Sequence, residues 1–254
     1  MRAEYRHRAN RRDVDLLIAD LIGRSVAWVV AHGDESIDET RLHPLLQRRL
    51  AGEPLQYIRG RTEFFGHQFY VDDRVLIPRP ETELLVEAAM ARAPRGGRVV
   101  DIGTGSGCIA VSLQRARPDL RVVATDLSIG ALAVARRNGA TALVATDVLA
   151  AIRGAFDVIV ANPPYIAGAE VEQLQTEVRR YEPRVALTPG PRGTEIIERI
   201  LRQSGSALVM MEMAMGQESA VRALAAANRL HVDDVIADLA GIPRVVILSG
   251  HGRH

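Results

Sequence analysis

The chain has 254 residues, enough for one large domain and a small one, and its 47% apolar and 25% charged residues exclude a disordered or membranous chain. The net charge is +1 and all 32 basic residues are arginine, which excludes a lysine nucleophile or Schiff base and argues against a dedicated duplex-DNA binder with a basic face. The one cysteine, Cys108, excludes an internal disulfide; no apolar run reaches the ~18 residues of a bilayer span, and Met1 to His7 lacks the apolar core of a signal peptide.

Arg6, Arg8, Arg11 and Arg12 form the densest basic run, read as a solvated terminus rather than a nucleic-acid site. From about Arg11 to Leu50 the pattern is helical: Val14, Leu17, Ile18, Leu21 and Ile22 recur at helical spacing, as do Leu42, Leu45, Leu46 and Leu50. Breaks fall at Gly23, Gly33-Asp34 and Gly52-Glu53-Pro54. So short a segment makes a marginal core, so the bundle is expected to pack on the rest of the chain, with Trp28 filling its interior. Residues 60–75 alternate around Phe65, Gly66, Phe69 and Val71 and predict a hairpin joining two parts. From there strand and helix alternate through Leu248, the pattern of an α/β domain with a largely parallel sheet. Val209-Met210-Met211-Glu212 is its fifth strand, and a helix from Gln217 to Ala227 follows. Val232 to Ile236 and Arg244 to Leu248 have a short connector that suits an antiparallel final pair.

Within this domain the strand Arg98 to Ile102 runs directly into Gly103-Thr104-Gly105-Ser106-Gly107, and a helical pattern starts at Cys108 and stops near Pro118. Strand, glycine turn and helix are the context of a nucleotide-type cofactor loop, since glycine permits positive φ and lets a ligand lie against bare backbone. The run is Gly-x-Gly-x-Gly; it is neither the dinucleotide pattern nor a Gly-Lys-Ser/Thr phosphate loop. Asp101, beside the loop, would repel a pyrophosphate and suits a cationic ligand. The strand from Arg121 ends in Asp126, roughly 20 residues past the glycines, the spacing at which an acid takes ribose hydroxyls. The strand from Ala142 ends in Asp147, and Phe156 to Ala161 runs into Asn162. Any one such residue is more often a turn former or helix cap. Four polar strand ends in register with one glycine loop instead describe a ligand site at the carboxyl edge of the sheet. S-adenosylmethionine fits this array, having a ribose, an adenine, an amino-acid tail and a sulfonium but no phosphate. Cys108 reads as a small core residue.

Asn162-Pro163-Pro164-Tyr165 is the most informative segment. The prolines stiffen the turn and leave carbonyls free to accept. The Asn162 side-chain oxygen and the Pro163 carbonyl suit a planar NH2 group that needs both hydrogens engaged, and Tyr165 offers a flat face to it. A proline-ended strand followed by a loop tyrosine is the plain alternative for so short a match.

Further stretches carry a specific resemblance: Gly52-Glu53-Pro54-Leu55-Gln56-Tyr57-Ile58, Glu63-Phe64-Phe65-Gly66, Leu76-Ile77-Pro78-Arg79-Pro80-Glu81-Thr82-Glu83 and Tyr181-Glu182-Pro183, with the glycine loop and Asn162 to Tyr165 in order among them. The chain resembles the protein-(glutamine-N5) methyltransferases that modify class I peptide chain release factors, a family of two-domain enzymes, and the match covers nearly its whole length. Asn-Pro-Pro-Tyr alone is shared with DNA adenine and some RNA methyltransferases; the Gly-Glu-Pro and Ile-Pro-Arg-Pro segments discriminate.

The resemblance implies a class I S-adenosylmethionine-dependent methyltransferase: a Rossmann-like sheet of seven strands, the last inserted antiparallel, with a small N-terminal helical domain. It divides the chain into a helical bundle for partner recognition (1–59), a hairpin linker (60–75) and a catalytic domain (76–254). Gly103, Thr104, Gly105, Ser106 and Gly107 would form the cofactor loop, with Asp126 on the ribose hydroxyls, Asp147 and Val148 near the adenine, and Asn162 beside the donor. Asn162, Pro163 and Tyr165 would be catalytic, with Pro164 completing the substrate contacts, and no metal is implied. Some relatives carry tryptophan where this chain has Val148, so adenine contacts there would be aliphatic. Arg79 and Pro80 either border the entrance or form a rigid interdomain turn, and Glu182 either holds a loop closed or makes a surface ion pair. Beside relatives, the loops after Asn138 and around Ser204 are short. The implied acceptor is the Gly-Gly-Gln loop of class I release factors and the product S-adenosylhomocysteine, in a cytoplasmic monomer without nucleic-acid binding. Rival readings are an amino-methyltransferase of adenine or guanine, which would need a recognition domain or basic groove, a non-catalytic scaffold, and a glutamine methyltransferase of another translation protein.

Overall fold

A computed structural model describes residues 10–33 and 38–250; Arg6, Arg8 and Asp34, used above, lie outside them. Among the described residues, four short helices form the N-terminal part. Helix α1 (Arg11–Ile22) opens on Asn10, whose side chain accepts the Arg12 N–H, and stops at left-handed Gly23. Ser25 caps α2 (Val26–Ala31), Asp38 caps α3 (Glu39–Leu50), and α4 (Leu55–Arg59) follows Pro54. Their apolar faces meet in one small core of Val14, Leu17, Ile18, Val29, Leu42 and Leu46. Trp28 is not inside it: it packs at the edge, stacked on His32 with ring centroids 4.2 Å apart.

The predicted hairpin is present as β1 (Thr62–Phe64) and β2 (His67–Phe69), paired antiparallel around Phe65 and Gly66 at φ 50° and 70°. Two successive positive φ values give the turn whose twist matches the strands. The Phe65 N–H donates to Glu83 Oε1 at 2.7 Å, which fixes the turn. Phe64 and Phe69 are buried in the core of the large sheet, so the hairpin packs as part of that domain.

Seven strands follow: β3 (Arg98–Ile102), β4 (Arg121–Asp126), β5 (Leu143–Ala145), β6 (Val158–Ala161), β7 (Leu208–Glu212), β8 (Leu230–Ala237) and β9 (Pro243–Gly250). Their order is β5-β4-β3-β6-β7-β9-β8. The first five run parallel, and β9 enters antiparallel between β7 and β8. Both faces are covered, which is why the central strands read as continuous apolar runs. Alternate residues divide between two layers: Val99, Val158, Val160 and Met210 pack with α5 (Glu83–Arg92) and α6 (Cys108–Ala116), whereas Val100, Ile159, Val209 and Met211 pack with α10 (Glu195–Gln203) and α11 (Glu218–Ala227). The remaining helices are α7 (Ile129–Arg137), α8 (Thr176–Tyr181) and α9 (Arg184–Leu187).

The bundle packs on this domain. Arg49 bridges Asp13 and Glu177, each at 2.7 Å, and the hydroxyls of Tyr57 and Tyr181 donate to the carbonyls of Val75 and Ala51. No helix among the described residues is long and apolar enough to cross a membrane. Chain connectivity leaves the sheet in opposite directions from β3 and β6, so a crevice opens at their carboxyl ends.

Candidate active site

The glycine loop after β3 turns with Gly103, Gly105 and Gly107 at φ 71°, 54° and 80°. A Cβ on Gly107 would lie 3.0 Å from that of Ala135 on α7, so only glycine allows this close packing. One on Gly103 would meet nothing within 4 Å, leaving bare backbone open to the crevice. The Thr104 hydroxyl and the Ala110 amide donate to Asp101 Oδ2 at 2.6 and 3.2 Å. Asp101 is wholly buried, and burial pushes its carboxyl up to about 7. Asp101, expected beside the loop, braces it through Thr104 and is not among the residues on the cavity wall. Asp126, at the end of β4, accepts the Gly105 amide at 2.9 Å and the Ser128 amide at 2.8 Å. Burial raises its carboxyl, and these two amides oppose the rise. Asn138 ties the loop to the chain after the hairpin by donating to the carbonyls of Ser106 and Tyr70.

A cavity of about 260 Å³ occupies the crevice. Gly103, Thr104, Gly105, Ser106, Asp126, Asp147, Val148, Asn162 and Pro164 line it; Gly107, Pro163 and Tyr165 do not. Asp147 is ion-paired with Arg199. Val148 is buried with φ 54°, a strained conformation for a β-branched residue, and gives the wall an aliphatic patch. Cys108 also borders the cavity; burial pushes its thiol up to about 12 and keeps it protonated. Among the described residues, Arg74 is the one cation on the wall, and its guanidinium is held by Asp72 at 2.6 Å. Such a wall offers no cradle for phosphates. Open glycine backbone, a carboxylate at the ribose spacing and an aliphatic patch fit S-adenosylmethionine.

Asn162 leaves β6 at the other side of the crevice. Its Nδ2 donates to the Thr82 hydroxyl at 3.1 Å, and no described residue donates to its Oδ1 or to the Pro163 carbonyl. Thr82 ends the turn before α5 and donates to Glu212 Oε2 at 2.6 Å. The Tyr165 hydroxyl donates to the other oxygen, Oε1, at 2.9 Å. Burial raises the Glu212 carboxyl, and both hydroxyl donors oppose it. Gln217 Nε2 pins the Tyr165 carbonyl at 2.8 Å. Thr82 and Glu212 were given no role by sequence, although Glu212 is the polar end of a fifth strand, the same signal as in the other four. Glu182 is not on the surface: its side chain is 1% exposed and joins Arg79 at 2.6 Å, clamping the segment before α5 to the loop after the motif.

This sheet order, with a glycine loop after the first parallel strand and a polar terminus on the fourth, defines a class I S-adenosylmethionine-dependent methyltransferase. Residues 80–185 match the methyltransferase small domain and residues 3–60 the PrmC N-terminal domain. The release factor glutamine methyltransferase of Bradyrhizobium diazoefficiens is 39% identical over 255 residues, covering 92% of this chain and 86% of its own. That of Neisseria gonorrhoeae is 40% identical over 236 residues, covering 85% and 84%. Among solved structures, the E. cuniculi Mtq2–Trm112 complex, responsible for methylating the eRF1 translation termination factor, aligns with a TM-score of 0.52 at 25% identity, over 70% of this chain and 98% of its own. The chain belongs to the release factor glutamine methyltransferase family.

Proposed function

We propose that this protein transfers a methyl group from S-adenosylmethionine to the side-chain amide nitrogen (N5) of the glutamine in the Gly-Gly-Gln loop of class I peptide chain release factors. The observation that carries the reading is Asn162: it stands on the cavity wall with the glycine loop, and its carbonyl oxygen accepts from no other described residue.

S-adenosylmethionine, when bound, supplies an electrophilic methyl on a sulfonium. Gly103 to Ser106 would hold its amino-acid end, with Gly107 packed behind them against Ala135; Asp126 would take the ribose hydroxyls, and Asp147 and Val148 would border the adenine. A glutamine amide nitrogen is a poor nucleophile because its lone pair is delocalised into the carbonyl. Asn162 Oδ1 and the Pro163 carbonyl each accept one amide hydrogen, which fixes the nitrogen and raises its electron density as it pyramidalises. Tyr165, anchored through its hydroxyl, presents its ring to the amide plane, and Pro164 closes the substrate side. Positioning, and acceptors that strengthen with developing positive charge, supply the rate. No strong base is required, because the proton becomes acidic only as the N–C bond forms. In this reading the enzyme works as a cytoplasmic monomer that does not bind nucleic acid, and the N-terminal bundle, residues 1–59, helps recognise the partner.

Asn162→Ala should retain S-adenosylmethionine binding and lose about a hundredfold in methyl transfer to a release factor, as for other single groups aimed at developing charge. Near-normal turnover would remove Asn162 from this role.

A further inference from the structure

Asn162 does not stand alone: Asn162, Thr82, Glu212 and Tyr165 form one unbroken chain of hydrogen bonds. Thr82 is 1% exposed and Glu212 2%, so water does not compete for either. The direction of every bond follows from one end. Both hydroxyls, of Thr82 and of Tyr165, donate to Glu212; with Glu212 ionised this direction is obligatory, because a carboxylate has only acceptor sites. The single proton of Thr82 is then committed, and toward Asn162 its oxygen can only accept. Asn162 must therefore turn its NH2 to Thr82 and leave its carbonyl oxygen for the cavity. The flipped amide would set two acceptor oxygens against each other.

We infer that Glu212, acting through Thr82, selects the side-chain amide orientation of Asn162 in which Oδ1 faces the substrate, an inference that rests on Asn162 accepting the substrate amide as proposed above. Thr82 and Glu212 are positioning residues; neither needs to touch the reacting atoms. A carboxylate is required at position 212 for its single polarity: glutamine there would both donate and accept, and the direction of the chain would no longer be set. At position 82 the requirement is a hydroxyl, which serine meets and valine does not.

The test compares Thr82→Val, Thr82→Ser, Glu212→Gln and Asn162→Ala in the full chain with a class I release factor as acceptor. Turnover, KM for the acceptor, the S-adenosylmethionine dissociation constant and the melting temperature are measured for each. A second readout needs no turnover: the chain has four asparagines, so labelling asparagine with 15N gives four side-chain amide pairs, and Asn162→Ala identifies the one at issue. We expect Thr82→Val to lower kcat about tenfold or more, as for loss of an oriented polar group at the reacting centre. Glu212→Gln should lie between it and wild type, and Thr82→Ser should recover most of the loss. KM and cofactor affinity should change little, and the Asn162 NH2 should exchange faster with solvent in Thr82→Val and Glu212→Gln. Wild-type kcat in Thr82→Val or Glu212→Gln, with Asn162→Ala inactive, would overturn the inference and leave the proposed reaction standing. Loss of kcat in parallel with cofactor affinity or melting temperature would also overturn it, as a merely structural role. An active Asn162→Ala would instead remove the reading on which it rests. If Thr82→Val does not fold, Thr82→Ser against Glu212→Gln decides by the same criteria.

Discussion

Asp101 lies beneath the glycine loop with both its hydrogen bonds on Oδ2 and none on Oδ1. Its carboxyl rises from 3.8 to about 7, chiefly through burial. Between those values the folded protein holds a proton that the unfolded chain has released. The stability tied to this group is therefore full below the lower value and lost as pH rises through the upper one. Asp101→Asn keeps an acceptor for Thr104 and cannot ionise. From about pH 5 to about pH 8 the wild-type melting temperature should fall relative to that of Asp101→Asn; parallel curves would contradict a buried, raised carboxyl. Asp126, Glu182 and Glu212 are also buried with raised carboxyls and are present in both proteins, so the difference between the two isolates Asp101 together with its coupling to Asp126. Single residues were only partly legible. Asp101 and Asp126 look alike in sequence, each an acid at the end of an apolar strand, but the loop folds Thr104 back over Asp101 and leaves Asp126 beside the cavity. Thr82 and Glu212 are 130 positions apart, and no local spacing reports a contact that only packing of α5 against β7 creates.

At the scale of elements the sequence was more informative, because a strand buried on both faces must be apolar throughout and its polar ends mark its limits. Strand β3 matches its expected span from Arg98 to Ile102, and β6 ends at Ala161 before Asn162 as expected. Strand β5, Leu143–Ala145, is shorter than its apolar run and pairs only with β4 at the sheet edge. The glycine turn gives a test of what each glycine does. Gly107 sits at φ 80° with a virtual Cβ 3.0 Å from Ala135, so Gly107→Ala should cost about 1–3 kcal/mol, read as a lower melting temperature. Gly103 has a similar φ, 71°, but open space around it. Gly103→Ala should cost about 1 kcal/mol from the backbone alone and weaken S-adenosylmethionine binding, because the new methyl enters the cavity. Equal stability losses at the two positions, or unchanged cofactor affinity in Gly103→Ala, would contradict the division between a packing glycine and a ligand-facing one.

Across the whole molecule, the helical N-terminal part, the hairpin and the strand-helix alternation were all legible, and so was the antiparallel final pair. How the parts join was not, because it depends on long-range pairs such as Arg49 with Glu177 and Tyr181 with Ala51, and the same holds within the catalytic domain for Arg79 with Glu182. This last pair also explains why the Ile-Pro-Arg-Pro segment and the loop after Asn162 belong to one site, although neither charge alone is distinctive. The acceptor is tested most directly by transfer of a labelled methyl group from S-adenosylmethionine to a purified class I release factor. A matched factor with its loop glutamine changed to alanine and a duplex DNA serve as parallel acceptors. Label is expected on the glutamine-containing factor alone, located by mass spectrometry on the amide nitrogen of the Gly-Gly-Gln glutamine. Label on DNA, or equal label on both factors, would contradict the proposed acceptor.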